Sequence, residues 1–304
     1  MVIPVYNEEG NIRPLYSELR EVLSGLGEDY EIIFVDDGST DAGFSMIRGL
    51  HEKDARVKAI KFRRNFGKSA ALSAGFERAV GDIVFTMDGD LQDDPKEIPR
   101  FLEEMGKGYD LVVGWKFRRR DPQTKKLPSK IFNRLTSSLT GVGIHDMNCC
   151  FKAYKKDVVK NLSLYGELHR YIPALAYWRG YKVSEIKVNH RPRTHGKSKY
   201  GPMRLLKGFL DLLTVKFLIS YSTRPLHLFG ILGLMSTAAG LLIGLYLLYL
   251  KYVLNELIGE RPILFAAILL IIVGIQFVSM GLLGEMITST HQTHSASYMI
   301  SEEL

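Results

Sequence analysis

Short apolar runs alternate with helical patterns along the first part of the chain. The runs predict strands at residues 1–6, 31–35, 57–62, 83–87 and 110–113. Apolar residues recur at helical spacing over residues 11–26, which predicts an amphipathic helix between the first two strands. The same reasoning predicts a helix at 69–80 and a further strand at 148–154. This alternation is typical of an α/β fold with a doubly wound parallel sheet.

The pattern changes near the end of the chain. Residues 226–250 and 263–286 are two long apolar runs, and a short polar loop at 251–261 separates them. At about 1.5 Å per helical residue, each run can cross the ~30 Å hydrocarbon layer of a membrane. A buried core helix would explain one such run, but two in succession favour a pair of membrane-spanning helices.

The segment before the first span has a polar stripe and an apolar side. Arg204, Lys207 and Asp211 recur at helical spacing, which is typical of a helix lying at a membrane surface. The predicted organisation is a first domain at 1–201, an interfacial helix region at 202–224, two spans within 225–290 and a tail at 291–304. Basic residues cluster before the first span, so the positive-inside rule predicts a cytoplasmic first domain and tail.

Composition narrows the classes of partner. The chain has 304 residues, a formal net charge of +7 and a pI near 9.2. Its basic clusters lie beside the spans, where they face anionic lipid headgroups and not nucleic acid. Cys149 and Cys150 are adjacent, a spacing that rarely meets disulfide geometry, and no C-x-x-C spacing indicates zinc. These features predict an integral protein of the plasma or inner membrane, with its first domain in a reducing compartment.

Carboxylates follow the predicted strand at 83–87. Asp88 and Asp90 come directly after it, with Gly89 between them for a tight bend. In open α/β sheets, ligands bind outside the carboxyl ends of the strands. Two carboxylates at that edge can hold one hard cation, Mg²⁺ or Mn²⁺, together with substrate phosphates. Gln92 can add a neutral oxygen.

An acidic turn that caps the next helix is the alternative explanation. Asp94 as N-cap, with Pro95 at the first helical position, fits that turn. The turn does not account for Asp88 and Asp90, whose mutual repulsion requires a counter-charge.

Polar residues follow the other predicted strands as well. Asp36 or Asp37 can accept a hydrogen bond from a nucleobase, and the alternative for one of them is an N-cap. Lys68 opens a helix and is either a phosphate-binding residue or a solvated lysine. The sequence has no P-loop, and no G-x-G-x-x-G motif follows the first strand, so a dinucleotide redox cofactor is unsupported.

Four motifs together carry a family resemblance. They are PVYNEE at 4–9, DDGSTD at 36–41, RNFGK at 64–68 and DGDLQDDP at 88–95. With them, residues 1–225 resemble family 2 glycosyltransferases of the GT-A fold. More narrowly, they are similar to polyprenyl-phosphate glycosyltransferases, the group that contains dolichol-phosphate mannose synthase and bacterial undecaprenyl-phosphate glucosyltransferases. The resemblance implies a mostly parallel, twisted sheet flanked by helices.

The resemblance also implies roles for single residues. It implies a nucleotide held by Pro4, Tyr6, Glu8 and Asp37, to which the residue analysis adds Asp36, Lys68 and Asp88. It implies a metal held by Asp88, Asp90 and Gln92, where the cation bridges the diphosphate of the donor.

Two basic clusters, at 116–120 and 190–201, are candidates for the acceptor site. The alternative is a basic skirt on lipid headgroups. In the family, arginines from these regions bind the phosphate of the acceptor, and a guanidinium fork suits a phosphate held in one orientation. By position the candidates are Arg118, Arg134, Arg191 and Lys197.

Asp146 is the third candidate catalytic residue, beside Asp88 and Asp90. In many GT-A enzymes an acid near this position is the base for a hydroxyl acceptor. A phosphate monoester has a second pKa of about 6, so its oxygen is mostly ionised at neutral pH and needs little base. Asp146 is then either a base or a residue that orients the acceptor and balances the arginines.

The expected activity is inverting transfer of a sugar from a UDP- or GDP-linked donor to a membrane polyprenyl phosphate on the cytoplasmic leaflet. The alternatives are a processive polysaccharide synthase of the same fold and a non-catalytic nucleotide-binding membrane scaffold. The partners are the nucleotide sugar, the lipid and the membrane. Small residues in the first span, among them Gly233 and Gly240, also suggest a homo-oligomer.

Overall fold

The computed structural model describes residues 1–117, 136–137, 140–192, 212–217, 220–221, 224–259 and 261–292. The chain forms two compact units, Met1–Val215 and Lys216–Leu304. The predicted helix region at 202–224 and the tail at 291–304 lie largely outside the described residues, although 212–217 are helical.

The first unit is built on a sheet to which the described residues contribute seven strands in the order β3-β2-β1-β4-β6-β5-β7. The strands are β1 (Val2–Val5), β2 (Ile32–Asp36), β3 (Val57–Lys61), β4 (Ile83–Thr86), β5 (Leu111–Trp115), β6 (Lys152–Lys155) and β7 (Val183–Lys187). Neighbouring strands from β3 to β4 are parallel, β6 is antiparallel to both β4 and β5, and β7 is parallel to β5. The expected mostly parallel sheet is therefore confirmed.

Helices cover the sheet. They are α1 (Glu9–Gly25), α2 (Gly43–His51), α3 (Lys68–Arg78), α4 (Ile98–Gly106), α5 (Lys156–Lys160) and α6 (Ile172–Trp178). Every residue of β2 is buried, as expected for a central parallel strand whose two faces are covered. The stripe of Ile12, Leu15 and Leu19 that predicted α1 is the face that this helix buries.

The sequence missed some boundaries and two elements. The predicted strand at 148–154 begins only at Lys152, and neither β7 nor the short helix α5 was predicted. The residues of β7 are only partly buried, and their mixed polarity gives little strand signal.

Strand direction determines where the polar segments meet. Because β1, β2 and β4 are parallel, the residues that follow them lie at one edge of the sheet. The antiparallel strand β6 starts at that same edge, since its first residue, Lys152, pairs with Thr86 at the end of β4. The residues after β4 and before β6 therefore come together.

The second unit contains two long apolar helices, α7 (Pro225–Tyr252) and α8 (Pro262–Gln292). Both are long and apolar enough to cross a membrane, as the sequence predicted. In their most apolar stretches, only 17% and 11% of the residues are buried inside the protein. A core helix would be mostly buried, so this pattern favours membrane spans.

Small residues bring α7 and α8 into close contact with each other. A Cβ atom at Gly233 would lie 2.6 Å from the carbonyl oxygen of Gly274, and one at Gly240 would lie 2.8 Å from that of Ala267. Such close approach of backbones is typical of packed membrane helices. Gly233 and Gly240 therefore serve contacts within this chain, and the suggested homo-oligomer stays a prediction.

We expect Gly274→Leu to destabilise the helix pair, because a Cβ at this position would lie 2.7 Å from the carbonyl oxygen of Gly233. Overpacking of this kind costs about 1–3 kcal/mol. Thermal unfolding of the detergent-solubilised protein measures the loss. The control is Gly244→Leu, where a Cβ meets no atom within 4 Å. Equal destabilisation by both substitutions would contradict the described packing.

Candidate active site at the carboxyl ends of the central strands

The acidic loop, defined as residues 88–94, leaves β4 in a tight turn against the end of β1. The left-handed residue of this turn is Leu91, with φ of 62°, and not Gly89. Gly89 is required for a different reason, since a Cβ there would lie 2.9 Å from Val5 Cγ1. Asp90 is buried, and its Oδ1 accepts a hydrogen bond of 3.2 Å from the backbone N–H of Gln92. The backbone that carries Asp88 and Asp90 is thus held in place.

Asp88 forms an ion pair with Lys68, the first residue of α3. The distance from Lys68 Nζ to Asp88 Oδ1 is 2.5 Å. Burial alone would raise the pKa of Asp88, but the charges of Lys68 and Lys116 outweigh it and hold that pKa well below its usual range. Lys68 therefore supplies the counter-charge that the sequence required, a partner that spacing along the chain did not reveal.

A second lysine supports the acidic loop from the end of β5. Lys116 Nζ lies 2.8 Å from Oδ1 of Asp93, whose side chain is fully buried. Burial would lower the pKa of Lys116, but the nearby negative charges, chiefly that of Asp93, raise it well above its usual range. The ion pair fastens the loop to the end of β5. Sequence reasoning missed it, because both residues looked like members of surface charge clusters.

Arg191, from the segment after β7, clamps the other side of the acidic loop. Its backbone N–H donates to the carbonyl of Gln92 at 2.8 Å. Its guanidinium donates to Glu18 at 2.7 Å and to Asp94 at 2.6 Å. The described contacts of the Arg191 guanidinium are thus with carboxylates, and its predicted role with the acceptor phosphate stays a prediction. The other acceptor candidates, Arg118, Arg134 and Lys197, lie outside the described residues.

Asp94 has the capping role that the sequence predicted. Its Oδ1 accepts a hydrogen bond from the backbone N–H of Lys96 at 3.1 Å, and Pro95 opens the helical turn. The Gln92 side chain donates from Nε2 to the carbonyl of Arg191 at 3.5 Å. Its role as a metal ligand stays a prediction.

The two aspartates at the carboxyl end of β2, Asp36 and Asp37, bind backbone N–H groups. Asp37 accepts from Phe66 at 2.7 Å and from Gly67 at 3.0 Å, which fixes the loop that leads into α3. Burial raises the pKa of Asp37, and these two hydrogen bonds offset part of that effect. Asp36 Oδ1 accepts from the backbone N–H of Ser39 at 3.1 Å, whereas its Oδ2 is buried and has no hydrogen-bond partner among the residues that the structure describes. A buried acceptor without a donor is available to an N–H group of a ligand.

The turn after β2 also depends on a glycine. Gly38 has φ of +74°, and a Cβ there would lie 2.7 Å from Cα of Arg64. A side chain would thus be strained by the backbone conformation and would collide with the neighbouring loop. The DDGSTD and RNFGK motifs are therefore in direct backbone contact.

The loop after β1 is joined to the same group. The side-chain oxygen of Asn7 accepts from the backbone N–H of Thr40 at 2.8 Å, and Asn7 N–H donates to Ser39 Oγ at 2.9 Å. Glu8 accepts from the Asn11 amide at 2.6 Å. Pro4, Tyr6 and Glu8 are half-buried at this edge. The structure thus gathers the predicted nucleotide-binding residues of β1, β2, α3 and the acidic loop, while their contacts with a nucleotide stay predictions.

The segment before β6 contributes buried groups. Asp146 is buried, and its backbone carbonyl accepts from the N–H of Cys149 at 3.4 Å. Lys152 is also buried, and its ammonium donates to the carbonyl of Cys149. Burial lowers the pKa of Lys152, while the negative charge of Asp146 acts in the opposite sense. No sequence pattern predicts a buried lysine here, because Lys152 lies among other basic residues.

A buried histidine anchors the first turn of α3. His169 Nδ1 and Ser69 Oγ share a hydrogen bond of 3.0 Å, and the His169 backbone N–H donates to the same oxygen at 3.2 Å. Burial lowers the pKa of His169 well below its usual value, so the ring is neutral near pH 7. Ser69 follows Lys68 directly, so this contact holds the backbone that carries the Asp88 partner.

Asp88 and Asp90 are the two candidate carboxylates for a cation. Among the described residues, no group of three or more His, Cys, Asp or Glu side chains is arranged to hold a metal ion. Mg²⁺ is commonly bound by one or two carboxylates together with substrate phosphates. The donor set of Asp88 and Asp90 fits a cation that is completed by a diphosphate.

We expect Asp37→Asn to destabilise the ligand-free protein, because an amide cannot accept both backbone N–H groups without leaving one donor unpaired. A hydrogen bond to a charged group contributes about 1.5–3 kcal/mol, and both donors here are partly buried. Thermal unfolding without nucleotide is the measurement, and Asp29→Asn, at an exposed position, is the control. If Asp37→Asn unfolds at the same temperature as the unsubstituted protein, the loop does not depend on this carboxylate.

Comparisons with known proteins give the family. Residues 1–163 match the model of glycosyl transferase family 2. The chain is 39% identical over 98% of its length to dodecaprenyl-phosphate galacturonate synthase of Rhizobium johnstonii, covering 89% of that protein. It is 38% identical over 94% of its length to undecaprenyl-phosphate 4-deoxy-4-formamido-L-arabinose transferase of Pseudomonas paraeruginosa, covering 83% of that protein.

A solved structure shares the fold. It is glucosyl-3-phosphoglycerate synthase of Mycobacterium tuberculosis in complex with Mn²⁺ and UDP-glucose, with a TM-score of 0.55 and 18% identity. The match covers 71% of this chain and 77% of that one. The resemblance drawn from the four motifs is confirmed, and the chain belongs to glycosyl transferase family 2.

Proposed function

We propose that this glycosyltransferase moves a sugar from a nucleotide-sugar donor to the phosphate of a membrane polyprenyl phosphate. One observation carries the proposal. The chain is 39% identical over 98% of its length to a dodecaprenyl-phosphate galacturonate synthase, and its Asp88 and Asp90 lie at the same sheet edge as the residues predicted to bind the donor. The two apolar helices α7 and α8 support action on a membrane lipid. The product is a polyprenyl-phosphate monosaccharide.

The donor is held by the loops after β1 and β2. The buried, unpaired Oδ2 of Asp36 is suited to accept a hydrogen bond from the base. Lys68 and the amides that open α3 are suited to the diphosphate, since a helix N-terminus favours anions. A Mg²⁺ or Mn²⁺ ion held by Asp88 and Asp90 would neutralise the charge that develops on the leaving diphosphate.

The attacking atom is an oxygen of the acceptor phosphate. That oxygen is mostly ionised at neutral pH, because the second pKa of a phosphate monoester is about 6. It attacks the anomeric carbon from the face opposite the diphosphate, so the configuration inverts. Arg118, Arg134, Arg191 and Lys197 are the candidates for holding the acceptor in line, which is mainly a positioning effect. Asp146 is buried close to Lys152, which supports a charge-balancing role more than that of a base.

The first domain acts on the cytoplasmic leaflet in this proposal. Its support is the larger number of Lys and Arg residues before α7 than around the loop between the helices, where Lys251 and Arg261 are the two basic residues. A processive polysaccharide synthase is less well supported, because the sequence has no Q-x-x-R-W motif.

We expect Asp90→Asn to reduce sugar transfer by at least about a hundredfold, because a preorganised charge at the leaving diphosphate is removed. Radiolabelled or mass-detected lipid product measures the rate. Asp82→Asn is the matched control, since Asp82 is exposed and lies before β4, whereas Asp90 lies after it. Near-normal turnover by folded Asp90→Asn protein would refute the role of this carboxylate.

The identity of the donor is tested with a panel. We expect transfer from a nucleotide-linked uronic acid or from a nucleotide-linked 4-formamido pentose, the sugar classes in the names of the two relatives. The panel contains the UDP and GDP forms of both sugar classes, together with UDP-glucose and GDP-mannose. Each donor is incubated with undecaprenyl phosphate, and mass spectrometry identifies the lipid product. If no donor in the panel yields a glycosylated lipid, the proposed acceptor or the proposed activity is wrong.

A further inference from the structure

We propose that Lys68 is an exchangeable counter-ion. In the donor-free enzyme its ammonium pairs with the Asp88 carboxylate, and when a divalent cation binds that carboxylate the ammonium moves to the donor diphosphate. The inference rests on the proposed function for the identity of the incoming diphosphate. It adds a coupling between the binding of the cation and the binding of the donor.

The first support is the contrast between two lysine–aspartate pairs around the acidic loop. In the Lys116–Asp93 pair, the side chains are 12% and 0% exposed. In the Lys68–Asp88 pair, they are 22% and 33% exposed. The first pair cannot separate without leaving a charge in the interior, which is strongly unfavourable. The second pair reaches solvent on both sides, so its partners can be replaced.

The second support is that the backbone on either side of Lys68 is fixed. Before it, the N–H groups of Phe66 and Gly67 both bind Asp37. After it, Ser69 is held by His169 through two hydrogen bonds. Movement is therefore left to the Lys68 side chain, a flexible four-carbon stem with three rotatable donors. A change of the Lys68 rotamer is the motion by which the ammonium exchanges partners.

The third support is the balance of charge. A divalent cation that binds without nucleotide is repelled by the Lys68 ammonium paired with Asp88. The positive charge of Lys116 acts on the same carboxylate. A nucleotide diphosphate brings the negative charge that Lys68 needs as a new partner, at the start of an α-helix. The cation and the diphosphate therefore favour each other's binding, and such coupling is reciprocal.

The consequence is that the free enzyme binds a divalent cation weakly and binds it well only together with nucleotide. The same exchange leaves the Lys68 ammonium on the diphosphate, where it can stabilise the leaving group.

The experiment measures Mn²⁺ binding to the full-length, detergent-solubilised protein by electron paramagnetic resonance of free Mn²⁺. Each protein is titrated with Mn²⁺ alone, with Mn²⁺ and saturating UDP, and with Mn²⁺ and saturating GDP, and protein-free titrations correct for the Mn²⁺ that each nucleotide binds in solution. The variants are Lys68→Met, Lys68→Arg, Asp88→Asn and the double variant with both Asp88→Asn and Lys68→Met. Lys53→Met is the control because Lys53 is an exposed lysine remote in sequence from the acidic loop. Thermal unfolding identifies any variant that does not fold, and Lys68→Gln then replaces Lys68→Met.

For the unsubstituted protein, we expect UDP or GDP to tighten Mn²⁺ binding by at least about fivefold, within the usual range of coupling between sites. Lys68→Met should bind Mn²⁺ alone at least about fivefold more tightly than the unsubstituted protein, and nucleotide should add little. Lys68→Arg and Lys53→Met should keep the weak binding of Mn²⁺ alone. In Asp88→Asn protein, the additional change Lys68→Met should bring no gain.

Unchanged or weaker Mn²⁺ binding by folded Lys68→Met protein would overturn the exchange, and so would the same gain in Lys53→Met. Sugar transfer is measured separately on the same preparations. If transfer occurs but the Mn²⁺ affinities do not change, the exchange alone is wrong. If the Mn²⁺ affinities change as expected but no lipid product forms with any donor, the exchange stands and the proposed acceptor or activity is wrong.

Discussion

The constraint on which this structure depends is the repulsion among carboxylates gathered at one edge of the sheet. Parallel β1, β2 and β4 direct their carboxyl ends to that edge, where Asp36, Asp37, Asp88 and Asp90 follow the strands. A charge taken out of water is unfavourable unless it gains a partner. Asp36 and Asp90 accept backbone N–H groups of their own loops, Asp37 accepts those of the loop before α3, and Asp88 pairs with a lysine. The loops are thereby folded around the charges.

The balancing cations come from elements that are far apart in the chain. Lys68 opens α3, Lys116 follows β5 and Lys152 begins β6, and the pairing of the strands brings all three towards the acidic loop. Their environments differ. Lys116 is locked to a buried partner, Lys152 donates to a carbonyl, and Lys68 is in contact with solvent. The distinction between a structural pair and a replaceable pair follows from exposure, because solvent supplies the alternative partner for separated charges.

The acidic loop is held rigidly, whereas the Lys68 side chain beside it can change partners. The loop is joined to β1 by the close approach of Gly89 to Val5 and to the segment after β7 through Arg191. Arg191 also binds Glu18 of α1, so a helix near the start of the chain and a segment after the last strand hold the same loop. Precise positioning of ligands by a rigid frame is what transfer chemistry requires, because small displacements of reacting groups are costly.

The sequence alone determined the alternation of strands and helices, the two apolar C-terminal helices and the family, because hydrophobic periodicity and local motifs are properties of neighbouring residues. It also placed Asp88 and Asp90 after a strand and Asp94 at a cap. It could not determine the partners of these charges. Lys68 is 20 residues from Asp88, Lys116 is 23 residues from Asp93, and Arg191 is 97 residues from Asp94. Only the tertiary structure decided which lysine is buried and which reaches solvent, because burial depends on what the whole chain packs around a side chain and not on its neighbours in sequence.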